Sequence, residues 1–322
     1  MPELNFDALR GRLSAAGVTD VRPLAGGASS LTFQGLMDGE RVVVKVAPAG
    51  HEPVGHRDVL RQARMIDALR STDVPVPVVR WQDAGAPPEV PPLFVMTMMD
   101  GESLEPLFDD VATSPKDPKD PKDIVAQRYR NAARTLATLH RHPPRHLGVD
   151  DEPVVDPAAE VDRWCATLRT VEQALVPEWS ETAELLRATL PAAIGPSVVH
   201  GDFRLGNLLA VGADITAVID WEIWSVGDPR IDVGWFLVNA DPATYSRPST
   251  YVDAVPTRTE LTDCYGDAPD VEWFMALACF KSAATWALIV KHNRRRSTPQ
   301  PELEAMAPLL PGLLERSRAL LG

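Results

Sequence analysis

The chain has 322 residues, 45% apolar and 24% charged, with a formal net charge of −13. That length buries a sizeable core in one or two domains, and that composition is of a soluble globular protein rather than a disordered or fibrous one. The negative charge argues against nucleic acid as a partner; it is concentrated after residue 100, where 33 acids face 22 bases.

The first residues, MPELNFDALRGRLSAAG, read as an amphipathic helix without the apolar core of a signal sequence. Short strand signals follow. Val21–Leu24 leads into a glycine- and serine-rich turn, Gly26-Gly27-Ala28-Ser29-Ser30, which reads equally as a plain hairpin turn or as a loop presenting backbone N–H groups to phosphate oxygens. Leu31–Leu36 and Arg41–Val46 flank an Asp38-Gly39 hairpin signal. Lys45 is a lone lysine in that apolar strand, and a buried ammonium needs an anion, either a nucleotide phosphate or a structural carboxylate. Asp58 to Arg70 carries Val59, Ala63, Ile66 and Leu69 at helical spacing, and Val74-Pro75-Val76-Pro77 ends it. Leu93–Met98 is a further strand. Together these make a small antiparallel-sheet lobe over residues 1–100, with a hinge near 96–100 and a boundary at Asp100-Gly101.

Residues 114–123, SPKDPKDPKD, have a proline every third position and no apolar side chain, and read as a mobile loop. The remainder, 101–322, is mostly helical: Ile124–His140, Pro157–Leu175, Trp179–Leu190, Val271–Asn293 and Glu302–Leu321. The most apolar run, Trp273 to Val290, is interrupted by Lys281, Ser282 and Thr285, so it reads as a buried helix rather than a membrane span. Three dispersed cysteines fit a reducing cytoplasm and supply no zinc site. The fold class is therefore α+β. No partner membrane is implied, and the oligomeric state is not encoded in any recognisable pattern.

The chemistry is concentrated in HGDFRLGNLLAVGADITAVIDWEIWSVGDPRID, from His200 to Asp232. Asp202, Asn207 and Asp220 occur in that order, five and thirteen residues apart. Phosphoryl transfer needs such a set: a carboxylate to orient a hydroxyl nucleophile, and hard oxygen ligands for Mg²⁺. A strand–loop–strand hairpin over Leu208–Ile219 brings Asn207 and Asp220 together. Asp228 and Asp232 read as structural carboxylates, Asp232 as the N-cap of a helix from Val233. His200 reads as a packed histidine, although a metal-dependent hydrolase using His200 and Asp202 is a rival. Lys291-His292-Asn293-Arg294-Arg295-Arg296 is a basic helix end; if it lined the substrate site, an anionic acceptor would follow.

This segment resembles the catalytic loop of aminoglycoside phosphotransferase-like kinases (the choline-kinase type), which share the bilobal protein-kinase fold. The similarity extends to Leu24–Phe33 as nucleotide loop, Val42–Lys45 as the strand lysine, Phe94–Met98 with Asp100-Gly101 as hinge, and Glu160-Val161-Asp162-Arg163-Trp164 on a helix of the second lobe. The pattern is closest to the branch also found fused to acyl-CoA dehydrogenases. The resemblance implies ATP and Mg²⁺ as cofactors, and transfer of the γ-phosphate to a small-molecule hydroxyl. Asp202 is then catalytic and Asn207 and Asp220 hold metal. Gly27, Ser29, Ser30, Lys45 and Gln62 serve the phosphates, and the backbone of Met96 and Met98 hydrogen-bonds adenine. The family pairs its lysine with a glutamate where this chain has Gln62, with Asp58 as a nearby substitute. That departure leaves a non-catalytic nucleotide-binding module, a pseudokinase, as the alternative. Only six residues separate Asp220 from Gly227, too few for a peptide-docking activation segment.

Overall fold

A computed structural model describes residues 4–24, 30–108 and 121–322. Gly27, Ser29 and most of the proline triplet repeat lie outside the described residues; the repeat's last residues, Lys122 and Asp123, already belong to a helix. Helix α1 (Phe6–Ala15), capped by the Asn5 side chain on the Ala8 N–H, precedes β1 (Val18–Pro23), β2 (Leu31–Met37) and β3 (Glu40–Val46). Asp38 and Gly39 both take positive φ, as the two-residue hairpin turn requires. After α2 (Val59–Leu69) come β4 (Val79–Asp83) and β5 (Leu93–Thr97). Among the described residues these strands form one antiparallel sheet in the order β1-β2-β3-β5-β4. The edge strand β4 is the element the sequence hid, because it follows two prolines and shows no clean alternation of burial.

Helix α3 (Lys122–His140) opens the second half, followed by β6 (Val154–Val155), α4 (Pro157–Leu168) and α5 (Trp179–Ala188). Then come β7 (Ser197–Val199), β8 (Leu208–Val211), β9 (Asp214–Val218) and β10 (Ser225–Gly227). The helices α6 (Arg230–Ala240), α7 (Pro242–Tyr245), α8 (Arg258–Tyr265), α9 (Val271–Arg294), α10 (Pro301–Glu304) and α11 (Leu310–Leu321) complete the chain. The helix expected over 157–175 stops at Leu168. The one expected over 302–321 is two pieces, broken around Pro308 and Pro311.

β8 and β9 form the expected hairpin, with Leu208 paired to Val218. α9 is long and apolar enough to cross a membrane, yet 78% of its apolar window is buried, since α6, α4 and α11 wrap it. One core cluster runs without a break from α2 and β5 (Ile66, Phe94, Met96) to α3 and the hairpin (Leu136, Leu208, Val218). The sheet and the helical half are thus packed on each other along the face where the cleft opens.

Candidate active site

The loop after β7 is built on its backbone. Gly201 has φ +86°, and a Cβ there would stand 2.7 Å from the Ile223 carbonyl oxygen, so only glycine fits. The buried Asp232 carboxylate accepts the N–H groups of His200 (2.6 Å) and Gly201 (2.8 Å). It is not the helix cap the sequence suggested: α6 begins at Arg230, and Asp232 turns from its first turn toward the loop. Burial alone would raise its pKa; the His140 hydrogen bond, the electrostatic influence of the His140 and His200 rings and the His200 backbone N–H overcome this and hold it below the usual carboxylate value. Asp228 instead pairs with the buried Arg230 at 2.7 Å and fixes the start of α6. His200 is fully buried. Its Nε2–H donates to Ile219 O (2.9 Å) and its Nδ1 accepts the Asp202 N–H (3.2 Å). With both nitrogens engaged it has no lone pair for a metal, which removes the hydrolase rival.

The Ile219 N–H donates to the Asn207 carbonyl at 3.0 Å, which carries the hairpin register through to the loop ends. Asn207 Nδ2 donates to the Asp202 carbonyl (2.8 Å) and to Asp202 Oδ2 (2.7 Å), leaving Asn207 Oδ1 as its open acceptor. Asp220 sits just past β9 at φ +67°, a conformation that aspartate tolerates better than most residues. Its Oδ1 accepts from Lys45 Nζ at 3.0 Å, across 175 residues of sequence. Lys45, Gln62, Met96, Asn207 and Asp220 line one cavity of about 410 Å³ between the sheet and the hairpin.

Several expected contacts come out differently. Gln62 lines the cavity and is buried, but among the described residues its Nε2 has no partner and it does not bond Lys45. Asp58 cannot substitute, because it caps α2 by accepting the Leu60 and Arg61 N–H groups. Among the described residues Ser30 is buried with an unpartnered Oγ, and Leu24 and Thr32, not Ser30, line the cavity at that end. Met96 lies in an interior strand between Val43 and Val79, so the sheet uses its backbone and only its side chain serves the cavity. The Met98 N–H is donated to the Arg41 carbonyl at 3.0 Å, so that donor is already taken by the sheet edge. The basic helix end is turned away from the cavity: Lys291 donates to Thr170 O, and Arg294 pairs with Glu172 and Glu304. It lies about 15 Å or more along α9 from the turn that meets the loop at Lys281.

Four side chains around Asp202 have roles that the sequence does not reveal. Arg204 Nε reaches both Asp202 oxygens (3.2 and 3.3 Å), and its other end pairs with Glu105, which also accepts the Gly206 N–H at 3.0 Å. Burial works against the Arg204 charge, but Asp202 and Glu105 together hold its pKa above the ordinary value, while burial pushes the Glu105 carboxyl up. Trp235 Nε1 donates to Asp202 Oδ1 at 2.8 Å. Lys281 donates to the Gly201 carbonyl. Its signal was the one that singled out Lys45, a solitary lysine in an apolar stretch.

The arrangement joins a hydrogen-bonded carboxylate, open hard oxygens on Asn207 and Asp220, and a lysine. Two protein oxygens with room for phosphate and water is a donor set that fits Mg²⁺. Among the described residues no cluster of three or more His, Cys, Asp or Glu forms a closed metal site.

The family model described as "Phosphotransferase enzyme family" matches residues 20–258. The chain belongs to that family. Acyl-CoA dehydrogenase family member 10 of Mus musculus is 24% identical over 284 residues, 83% of this chain but only 26% of the relative's length. This agrees with the branch suggested by the motifs. A provisionally assigned aminoglycoside phosphotransferase of Ralstonia eutropha JMP134 superimposes with a TM-score of 0.78 at 20% identity, covering 99% of this chain and 98% of that one. A thermostable mutant of aminoglycoside phosphotransferase APH(4)-Ia, in ternary complex with ADP and hygromycin B, gives 0.63 at 16% identity, covering 95% and 97%. The α+β, kinase-like phosphotransferase fold is therefore that of this chain.

Proposed function

We propose that this family member is an ATP-dependent phosphotransferase that moves the γ-phosphate to a hydroxyl of a small molecule in the cytoplasm. The observation that carries the reading is convergence: Lys45, Asn207 and Asp220, from distant parts of the sequence, line one cavity, and Asp202 is hydrogen-bonded to Asn207 at its edge. The ADP complex of a structural neighbour supports a nucleotide in the corresponding cleft.

In this reading residues 1–100 form the nucleotide lobe, 101–322 the catalytic lobe, and the chain around 96–100 the hinge. Lys45 binds the α- and β-phosphates. Asn207 Oδ1 and the Asp220 carboxylate hold Mg²⁺, which when bound neutralises charge on the transferring phosphate. Asp202, its oxygens fixed by Arg204, Asn207 and Trp235, orients the acceptor hydroxyl for in-line attack and takes up its proton. β10 begins five residues after Asp220 and joins a small sheet with β6 and β7, so no segment is available there to dock a peptide. The acceptor is thus a small molecule: an aminoglycoside, macrolide, sugar, amino alcohol or hydroxyacyl compound.

An ADP-release screen over such compounds tests this. Asp202→Asn is expected to keep ATP binding and to lose about 100-fold or more in turnover; a fully active variant sinks the assignment. The unpartnered Gln62 amide favours one second reading, a nucleotide-binding module without turnover. Mg²⁺-dependent ATP binding with no ADP formed on any acceptor would establish that instead.

A further inference from the structure

Lys281 is a buried ammonium that the roles above leave unused. It lies on α9 among buried Phe280, Ser282, Ala283 and Ala284, and is itself 5% exposed. Among the described residues no carboxylate is within ion-pair distance of its nitrogen. The carboxylates that face it at longer range, Asp202, Glu160 and Asp232, are each hydrogen-bonded elsewhere, and Arg163 adds a like charge. A methionine of similar length would fill this place without the cost of desolvating a charge.

What the ammonium does hold is specific. It donates to the Gly201 carbonyl, and Asp202 N–H on the same peptide plane donates to His200 Nδ1. The plane that carries Asp202 is therefore gripped at both ends. The same nitrogen lies 3.9 Å from the centre of the Trp235 ring and 5.7 Å from that of Trp164. Trp235 is the residue whose N–H fixes Asp202 Oδ1. We propose that Lys281 is a positioning residue for Asp202, acting through the Gly201 carbonyl and the Trp235 ring. The inference rests on the phosphotransfer reading of the cleft and adds to it a link between the long core helix and the reacting carboxylate. Exchange of the ammonium for an apolar group would release the peptide plane and the indole together.

The test compares wild type, Lys281→Met, Lys281→Arg and Trp235→Phe for ADP release from MgATP. The best acceptor from the screen is used, or water if none is found, and ATP binding and unfolding are followed alongside. Lys281→Met is expected to lose about 10- to 100-fold in kcat through misplacement of Asp202. Its ATP affinity should stay within about twofold and its unfolding midpoint should not fall. Lys281→Arg should recover part of the loss, because a guanidinium still donates to the carbonyl and stacks on indole. Trp235→Phe keeps a ring beneath the ammonium but removes the N–H, and should cost about tenfold. It reads the same linkage if Lys281→Met fails to fold. A purely structural lysine predicts the reverse for Lys281→Met, a lower midpoint with unchanged kcat in the folded protein. A folded Lys281→Met, or a folded Trp235→Phe, with wild-type kcat overturns the proposal alone. Wild type that forms no ADP overturns the phosphotransfer reading beneath it.

Discussion

Gln62 and Asp232 show how a single position can be located from sequence while its partner is not. Gln62 was placed at the cleft by alignment to a family glutamate, and it is there, but with an orphaned amide. Gln62→Met removes a buried donor that has no acceptor, so it should stabilise the free protein by about 1 kcal/mol in urea titrations. Asp232 was read from local spacing as a helix cap. Its true partners are two N–H groups 31 and 32 residues earlier, and no local rule reports those. Asp232→Asn should cost about 3 kcal/mol at neutral pH, since one of the two N–H groups then faces an amide donor. Because the folded pKa of Asp232 is depressed, its contribution is complete above the unfolded value of about 3.9 and is lost as pH falls through the folded one. The stability gap between wild type and Asp232→Asn should accordingly be constant above about pH 5 and shrink below pH 4. Lys45, Asn207 and Asp220 were legible because a polar residue in an apolar strand, or at its end, advertises itself. Lys281 carries the same signal in an apolar helix, but its partner does not; Arg204 and Glu105 act by tertiary contacts that spacing does not encode.

Helix α2 carries Gln62, and with no lysine–glutamate pair something else must hold it. Arg61 donates to the Trp224 carbonyl and to Glu152 (both 2.8 Å) and lies 3.9 Å from the Trp224 ring centre; Trp224 Nε1 returns a bond to the Arg61 carbonyl. Arg64 reaches Asp151 and the Gly148 carbonyl from a more exposed position. Arg61→Ala should cost about 2 kcal/mol and weaken nucleotide binding, because it breaks a half-buried network that fixes α2 to the helical half. Arg64→Ala should cost under about 1 kcal/mol, as solvent screens its pairs. Thermal melts with ATP titrations separate the two. Elements with strong periodicity or turn signals were readable: α1, α2, α3, the β2–β3 hairpin and α9. β4 was not, since a half-exposed edge strand has neither alternation nor length. The prolines after residue 305 broke a helix that its leucines had suggested.

At the level of the molecule, the continuous core from Phe94 and Ile66 to Leu136 and Val218 joins the two halves that composition alone divides near residue 100. Unfolding followed by tryptophan fluorescence and by far-ultraviolet circular dichroism should therefore coincide in one transition; two separated transitions would show that the halves melt independently. The arginine-rich end of α9, had it lined the cleft, would have implied an anionic acceptor, and the excess acidity after residue 100 is spread over the whole second half. The run does not decide the acceptor's charge, because it is tied down far from the cleft. The ion pair between Lys45 and Asp220 has a further consequence. The ammonium and the carboxylate cancel each other's charge within the cavity wall. If the cleft takes a nucleotide with its metal as proposed, entry is an exchange of partners rather than simple attraction: the lysine would pass to phosphate and the aspartate to the metal. On that proposal a metal-free nucleotide would leave Asp220 unpaired beside its phosphates, and nucleotide and metal are expected to bind together.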